Sequence, residues 1–223
     1  MINVAIDGPA GAGKSSIAKA VAKDTGYIYV DTGALYRAVA HYTLEKGVSP
    51  DDSKAVTALL DGLEIKLAYN ENGQRVISQG NDVSDRIRTP EVSMAASKVS
   101  AIPEVRAFLF DLQKKIAAEN NIIMDGRDIG TVVLPDAQLK IFLTASAEER
   151  ARRRFAELKD TDGVTFESIL ADIIKRDEND MNRAVSPLKQ AEDAVLVDTT
   201  EMTIEEVIAL LEKMIKETEA KEA

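Results

Sequence analysis

The chain has no cysteine and a single histidine, His41. Without cysteine there are no disulfides and no thiolate metal sites, which fits a cytoplasmic protein. His41 falls in a predicted helix, where a structural or surface role is expected rather than a catalytic one. No apolar run approaches the roughly 20 residues that a membrane helix requires. The first residues read as a strand, not as a signal peptide. Positive charge is in deficit: 28 Lys and Arg against 38 Asp and Glu leave a net charge of −10. A general attraction to nucleic acid or to an anionic membrane is therefore not expected. What remains is a globular composition, 45% hydrophobic and 30% charged over 223 residues. That length supports one large domain or two small ones with a real core.

The most informative segment is Gly8-Pro9-Ala10-Gly11-Ala12-Gly13-Lys14-Ser15, which matches the phosphate-loop pattern G-x-x-x-x-G-K-[ST]. Its context is right. The apolar run Ile2-Asn3-Val4-Ala5-Ile6 reads as a buried strand, and the Ala-rich stretch from Ser15 to Lys23 reads as a helix. Glycines let the backbone close around an anion, and the loop N–H groups then face phosphate oxygens at a helix N-terminus. Lys14 is expected to reach the β- and γ-phosphates, and the Ser15 hydroxyl to join a Mg²⁺ shell. The nucleotide site as a whole is assigned to Gly8, Pro9, Ala10, Gly11, Ala12, Gly13, Lys14, Ser15 and Ser16, with Ser15 as the metal contact.

Periodicity predicts four more apolar strands: Tyr27 to Val30, Ile122 to Met124, Leu139 to Leu143 and Ala194 to Val197. Helices are expected over Leu35 to Glu45, Thr89 to Ser100, Pro103 to Glu119, Ala147 to Leu158, Phe166 to Asp180 and Ile204 to Lys216. A turn at Ser49 to Asp52 leads into a short helix ending near Gly62. Alternation over Leu63 to Leu67 and Arg75 to Ser78, joined through Asn70 to Gly73, predicts a hairpin. The tail from Glu217 is expected to fray. The fold class is therefore α/β: a five-stranded parallel sheet with helices on both faces, interrupted by an insertion carrying a small antiparallel sheet. The expected division is a core of residues 1–48 and 119–223 and an inserted region at 49–118, with a polar stretch from Lys159 to Gly163 in the core. Asp7, Asp31 and Asp125 fall at strand carboxyl ends, where ligands gather in such sheets.

Three classes of protein use this phosphate grip: GTPases, motor or transport ATPases, and small-molecule kinases. An Asn-Lys-x-Asp run, typical of GTPases, is absent, and transport ATPases usually have longer multidomain chains. A small kinase needs an acceptor pocket, a lid and many arginines, because phosphoryl transfer depends on positioning and charge neutralisation. Candidate segments are Asp31 to Arg37, Asp125 to Thr131, and Arg176 to Arg183. If the last were helical throughout, Arg176, Asp180 and Arg183 would share one edge. Arg150, Arg153 and Arg154 share a helical face, which is either a solvated surface or part of a lid over a polyanion.

Together with the phosphate loop, the segments Asp31-Thr32-Gly33-Ala34-Leu35-Tyr36-Arg37, Asp125 to Val133 and Asn182 to Leu188 resemble the bacterial cytidylate kinase family. The likeness runs from Ile2 to about Ile208. It implies transfer of the γ-phosphate of ATP to CMP or dCMP with Mg²⁺, in pyrimidine nucleotide metabolism. It also implies a P-loop core, a lid at about 155–165 and an enlarged nucleoside-monophosphate region. By the same resemblance, Thr32, Arg106 and Asp128 read cytosine. Arg37, Arg127 and Arg183 hold the acceptor phosphate, and Ser97, Arg176 and Asp180 hold the pentose. Some members have Ser where Thr32 stands; both supply a hydroxyl. Arg88 also matches a family arginine. Lys14, Arg127, Arg183 and Asp125 form the implied catalytic set, and Arg154 is the lid arginine assigned to the triphosphate. A monomer is expected, acting on small molecules rather than on nucleic acid or membrane.

Chemistry supports the base assignment, since cytosine presents an N4 amino donor that a carboxylate accepts, whereas uracil presents a carbonyl there. Two alternatives stay open on residues alone. Asp128 either reads the base or pairs with Arg127 or another arginine. Asp125 either orders Mg²⁺ through water or holds a P-loop side chain in place. The rival functions are a kinase for UMP or for a non-nucleotide alcohol, and a nucleotide-dependent switch without turnover.

Overall fold

The computed structural model of the chain describes residues 1–71, 73–158 and 163–222. The strands and helices group into two compact units, Met1–Ile28 with Asn120–Ala223, and Tyr29–Glu119. The sequence-based division lay at 48/49 and 118/119. The contacts also group Tyr29 to Val48 with the second unit, because the helix Thr32–Glu45 buries Leu35, Ala38 and Val39 within that unit's core.

The first unit is organised by β1 (Asn3–Asp7), whose Val4, Ala5 and Ile6 are wholly buried, as expected of a central parallel strand covered on both sides. Helix α1 (Lys14–Thr25) follows the phosphate loop, and β2 (Ile28–Asp31) is entered where the Ile28 N–H donates to the Asn121 carbonyl at 2.9 Å. The second unit then intervenes before the chain returns. With β6 (Ile122–Gly126), β7 (Leu139–Thr144) and β8 (Val195–Asp198), the five-stranded sheet has the order β2-β6-β1-β7-β8. The β1–β6 register sets Ile6 opposite Asp125 and Asp7 opposite Gly126; on the other side Asp7 lies opposite Phe142. The parallel α/β architecture read from the sequence is what the chain adopts. The helices of this unit are α6 (Ala147–Leu158), α7 (Phe166–Asn182) and α8 (Ile204–Glu222), besides α1.

The second unit contains α2 (Thr32–Glu45), α3 (Ser53–Leu60), α4 (Pro90–Val99) and α5 (Pro103–Glu119). Its hairpin, β3 (Ile65–Asn70) and β4 (Gly73–Ser78), gains a third strand, β5 (Asn81–Asp82), which sequence reading missed. Two polar residues carry no periodic signal; only their pairing with Ile77 and Ser78 makes them a strand. Leu35, Val39, Val92, Val99, Val105 and Leu109 form the centre of this unit.

Three other readings change. The tail does not fray: α8 continues to Glu222, with Thr218 buried and the Tyr27 hydroxyl donating to Glu219 at 2.8 Å. Helix α2 starts at Thr32, earlier than expected, because the Asp31 carboxylate caps it by accepting from the Ala34 N–H at 2.9 Å. Between β6 and β7 lies an unforeseen wide turn, Ile129–Val133. There the Val133 and Leu134 N–H groups reach back five residues, to the carbonyls of Asp128 and Ile129. Part of the expected lid, residues 159–162, lies outside the described residues.

Leu109→Ala should destabilise the protein by about 2–5 kcal/mol, since Leu109 is fully buried among α2, α4 and α5 and its truncation leaves a cavity. Urea unfolding midpoints of the two proteins check this.

Candidate active site

The phosphate loop leaves β1 at Gly8, which no other residue type could replace. Its φ is +147°, and a Cβ there would stand 1.9 Å from the Leu143 carbonyl oxygen of β7. At the far end Gly13, at φ 82°, caps α1 without a side chain, so nothing of its own covers the first helical amides. Lys14 is 5% exposed and donates to the Pro9 carbonyl at 2.7 Å. Burial, and after it the Arg127 charge, hold its pKa well below the ordinary lysine value, while Asp125, Asp7 and Asp180 oppose that shift. The Ser15 hydroxyl donates to Asp125 Oδ2 at 2.7 Å. Of the two readings of Asp125, a contact with a P-loop side chain is thus the one the structure displays. Ser16 is exposed at the start of α1.

Beyond β6 the chain presents Arg127 and Asp128. Arg127 Nε donates to Asp180 at 2.8 Å, and its NH1 to the Gly126 carbonyl at 3.2 Å. Arg183 NH2 donates to Asp128 Oδ1 at 3.3 Å, and its Nε to the Ser186 carbonyl. Lys14, Asp125, Arg127, Asp128, Asp180 and Arg183, predicted from three separate motifs, therefore form one network around the carboxyl ends of β1 and β6. The single-edge reading of Arg176, Asp180 and Arg183 is corrected. Helix α7 stops at Asn182, and Arg183 has extended backbone (φ −63°, ψ 140°). Asp180 is buried whereas Arg176 is exposed.

The three arginines assigned to one face of α6 also separate. Arg150 is buried: its Nε donates to the Ala145 carbonyl at 2.9 Å, NH1 to the loop carbonyl of Ala10 at 2.9 Å, and NH2 to Asp177 at 2.6 Å. Arg153 donates to Glu149 and to the Thr199 carbonyl, at 3.0 and 2.7 Å. Arg154 is exposed and pairs with Glu157 at 2.7 Å. Sequence reasoning missed Asp177, whose Oδ1 is buried without a hydrogen-bond partner among the described residues. Its place one turn before Asp180 on α7 was the available signal.

The second unit carries the remaining predicted residues. Asp31 Oδ2 accepts from Arg37 at 2.8 Å and lies 3.9 Å from Arg88. The side chain of Gln74, another residue missed from sequence, bonds both the N–H and the carbonyl of Asp31, at 2.8 and 3.3 Å, as a neighbouring strand would. The Arg37 Nε is buried with no hydrogen-bond partner among the described residues, which leaves a donor of its fork for an oxyanion. Thr32 is buried at the first position of α2. Arg106 is buried over the Tyr36 ring, 5.6 Å from its centre, and donates to the Ser100 carbonyl at 3.3 Å. Ser97 is half-buried on α4. His41 lies 3.4 Å from Glu45 on α2.

Asp7 is the other buried acid at the sheet edge, and it accepts from the backbone N–H groups of Ile129 and Gly130 at 2.8 and 2.7 Å. Burial is the main cause raising its pKa from 3.8 to about 6, against the two N–H groups and Lys14, which lower it. The folded chain therefore binds this proton more tightly than the unfolded chain. The associated stability is full below the unfolded value and is lost as pH rises through about 6. Relative to Asp7→Asn, the wild type should lose stability over that window, as read by unfolding midpoints at a series of pH values. Arg150→Ala should cost about 2–3 kcal/mol, because it strands Asp177 and the Ala10 carbonyl. Arg154→Ala should cost less than about 0.5 kcal/mol, as befits an exposed pair; thermal denaturation separates the two.

Known proteins resemble this chain in sequence and in fold. The family model described as cytidylate kinase matches residues 4–217. A cytidylate kinase of Carboxydothermus hydrogenoformans is 52% identical over 215 residues, covering 96% of this chain and 97% of that protein. One of Caldicellulosiruptor bescii is 53% identical over 208 residues, covering 93% and 92%. Among solved structures, an uncharacterized protein from Eubacterium ventriosum superposes with a TM-score of 0.55 at 13% identity, covering 97% of this chain and 99% of that one, which bears on the fold alone. With its family pattern matched along nearly its whole length, the chain belongs to the cytidylate kinase family.

Proposed function

We propose that the chain transfers the γ-phosphate of ATP to CMP or dCMP, giving ADP and CDP or dCDP. The observation that carries this reading is identity of about one half to relatives named cytidylate kinase over 96% of the chain. The polar network at the ends of β1 and β6 supports it, since it supplies the parts such a transfer needs. An oxygen of the acceptor phosphate attacks the γ-phosphorus, and the bond from that phosphorus to the β–γ bridging oxygen breaks as ADP leaves. The attacking group is already anionic, so no general base is required.

Gly8 to Ser16 hold the triphosphate in this reading. Phosphate oxygens beside Lys14 favour its charged form against the burial that disfavours it. Ser15 and Asp125 offer hard oxygen donors 2.7 Å apart, a set suited to Mg²⁺ directly or through water. When bound, Mg²⁺ neutralises charge on the β- and γ-phosphates. Arg127 and Arg183 bind the transferring or acceptor phosphate. Asp180 and Asp128 hold them there, as charged partners that limit the reorganisation needed at the moment of transfer. Arg37, fixed by Asp31, adds a third oxyanion donor. Asp128, Thr32 and Arg106 read cytosine, and Ser97, Arg176 and Asp180 bind the pentose. Arg154 is assigned to the triphosphate from a lid at about 155–165, and residues 49–118 to the acceptor-binding region. The working species is a monomer located in the cytoplasm.

ADP formation from Mg-ATP with CMP, dCMP, UMP and AMP offered separately tests the reading. Turnover should be fast with the two cytosine nucleotides and slow with the others. Asp128→Ala should lower kcat/KM for CMP by about 10- to 100-fold, the worth of one polar base contact at about 1–3 kcal/mol, while UMP changes much less. Equal losses on every acceptor would favour an alcohol or general nucleotide kinase. ATP binding without acceptor-dependent turnover would favour a switch.

A further inference from the structure

Asp7 takes no part in the chemistry above, yet it is 4% exposed and carries a carboxylate into the end of the central strand. Each of its oxygens accepts from one of two consecutive amides, Ile129 N–H and Gly130 N–H. Both amides belong to the wide turn that begins immediately after Asp128. The peptide plane joining Asp128 to Ile129 is thereby held at both edges. Its N–H goes to Asp7, and its carbonyl accepts from the Val132 and Val133 N–H groups at 2.9 and 3.2 Å. That plane defines the ψ angle of Asp128, 26°, and so the direction from which its side chain departs. Arg183 adds a restraint from the side-chain end.

A carboxylate is the one side chain of this size that accepts from two parallel N–H groups at once; an Asn would set its own amide donor against one of them. Burial makes the ionised form of Asp7 unfavourable for stability, as its raised pKa records. Its ionised carboxylate is therefore explained by what it holds in place rather than by a gain in stability.

We propose that Asp7 is a specificity-positioning residue: by pinning the Ile129 and Gly130 amides it keeps the Asp128 carboxylate in the orientation that distinguishes cytosine from uracil. The inference rests on the reading of Asp128 as the group that meets the base. Gly130 is the complementary element. A Cβ at that position would lie 3.4 Å from Asp7 Oδ2, an ordinary contact, and 3.3 Å from Lys140 Cδ, so a methyl fits beside Asp7 whereas a larger branched side chain would crowd its carboxylate.

The experiment measures kcat and KM for CMP, for UMP and for ATP at mildly alkaline pH, where Asp7 is ionised, together with thermal midpoints. Wild type, Asp7→Asn, Gly130→Val and Asp128→Asn are compared. Asp7→Asn and Gly130→Val should each lower the CMP-to-UMP ratio of kcat/KM by about tenfold or more, the worth of one charge-assisted bond. The loss should lie mainly in KM for CMP, with KM for ATP near the wild-type value. A purely structural Asp7 would lower the thermal midpoint and scale all substrates alike, and an unchanged ratio in either folded variant overturns the proposal. Should Asp7→Asn not fold, Gly130→Val decides, because its branched side chain crowds the same bond while keeping Asp7. Asp128→Asn separates the two layers. An intact ratio there refutes the base reading and the proposal with it. A ratio lost in Asp128→Asn but kept in the other two variants refutes the positioning role alone.

Discussion

Parallel pairing of β1 with β6, in the register that sets Ile6 opposite Asp125 and Asp7 opposite Gly126, determines where the phosphate loop and the Arg127-Asp128 segment emerge. Both strands end level, so the phosphate loop leaving β1 and the Arg127-Asp128 segment leaving β6 emerge side by side. A slip of one residue would turn Asp125 to the opposite face of the sheet and break its bond with Ser15. The register is well protected against such a slip. Val4, Ala5, Ile6, Ile122, Ile123 and Met124 are all fully buried, so any shift would expose apolar surface or bury polar groups without partners.

Charges gathered at that edge are costly to desolvate, and the chain compensates by cross-linking them. Arg127 is held by Asp180, Arg183 by Asp128, Arg150 by Asp177 and the Ala10 carbonyl, and Asp7 by two backbone amides. Pairs of this kind seldom add net stability relative to an apolar core. Their effect is geometric, because a side chain already fixed in place has little freedom left to lose on meeting a further partner. Lys14 shows the balance most directly: burial and Arg127 work against its charge, and three carboxylates work for it.

The second unit solves a similar problem on its own scale. Asp31 is at once the last residue of a strand, the cap of α2 and the partner of Arg37, while the Gln74 side chain occupies its backbone groups. One side chain thus ties helix geometry to the aim of an arginine. The apolar interior formed by α2, α4 and α5 keeps that arrangement in place without contributing a reactive group.

Much of this was readable in advance, and the reasons differ by feature. Strands and helices follow from local periodicity, the phosphate-loop pattern from glycine spacing before Lys14 and Ser15, and the site proposed at Thr32, Arg37, Arg127, Asp128 and Arg183 from short motifs. These are local properties, and local physics writes them along the chain. What failed to read were features with partners far away or without periodicity. They include the two-residue strand Asn81–Asp82, the extra helical turn of α8 docked through Glu219, and the wide turn after Asp128. The arginines of α6 make the limit plain. Helical spacing puts Arg150 and Arg154 on one face, yet one reaches a carbonyl 140 residues away and the other lies in solvent. Asp7 is visible in sequence as a strand end, but the amides that give it a purpose lie 122 and 123 residues further on. The sequence by itself thus determined the family, the elements and the inventory of charged groups. Only the tertiary structure decided which of those groups are buried, paired and aimed, because desolvation and hydrogen bonding depend on neighbours that chain order does not reveal.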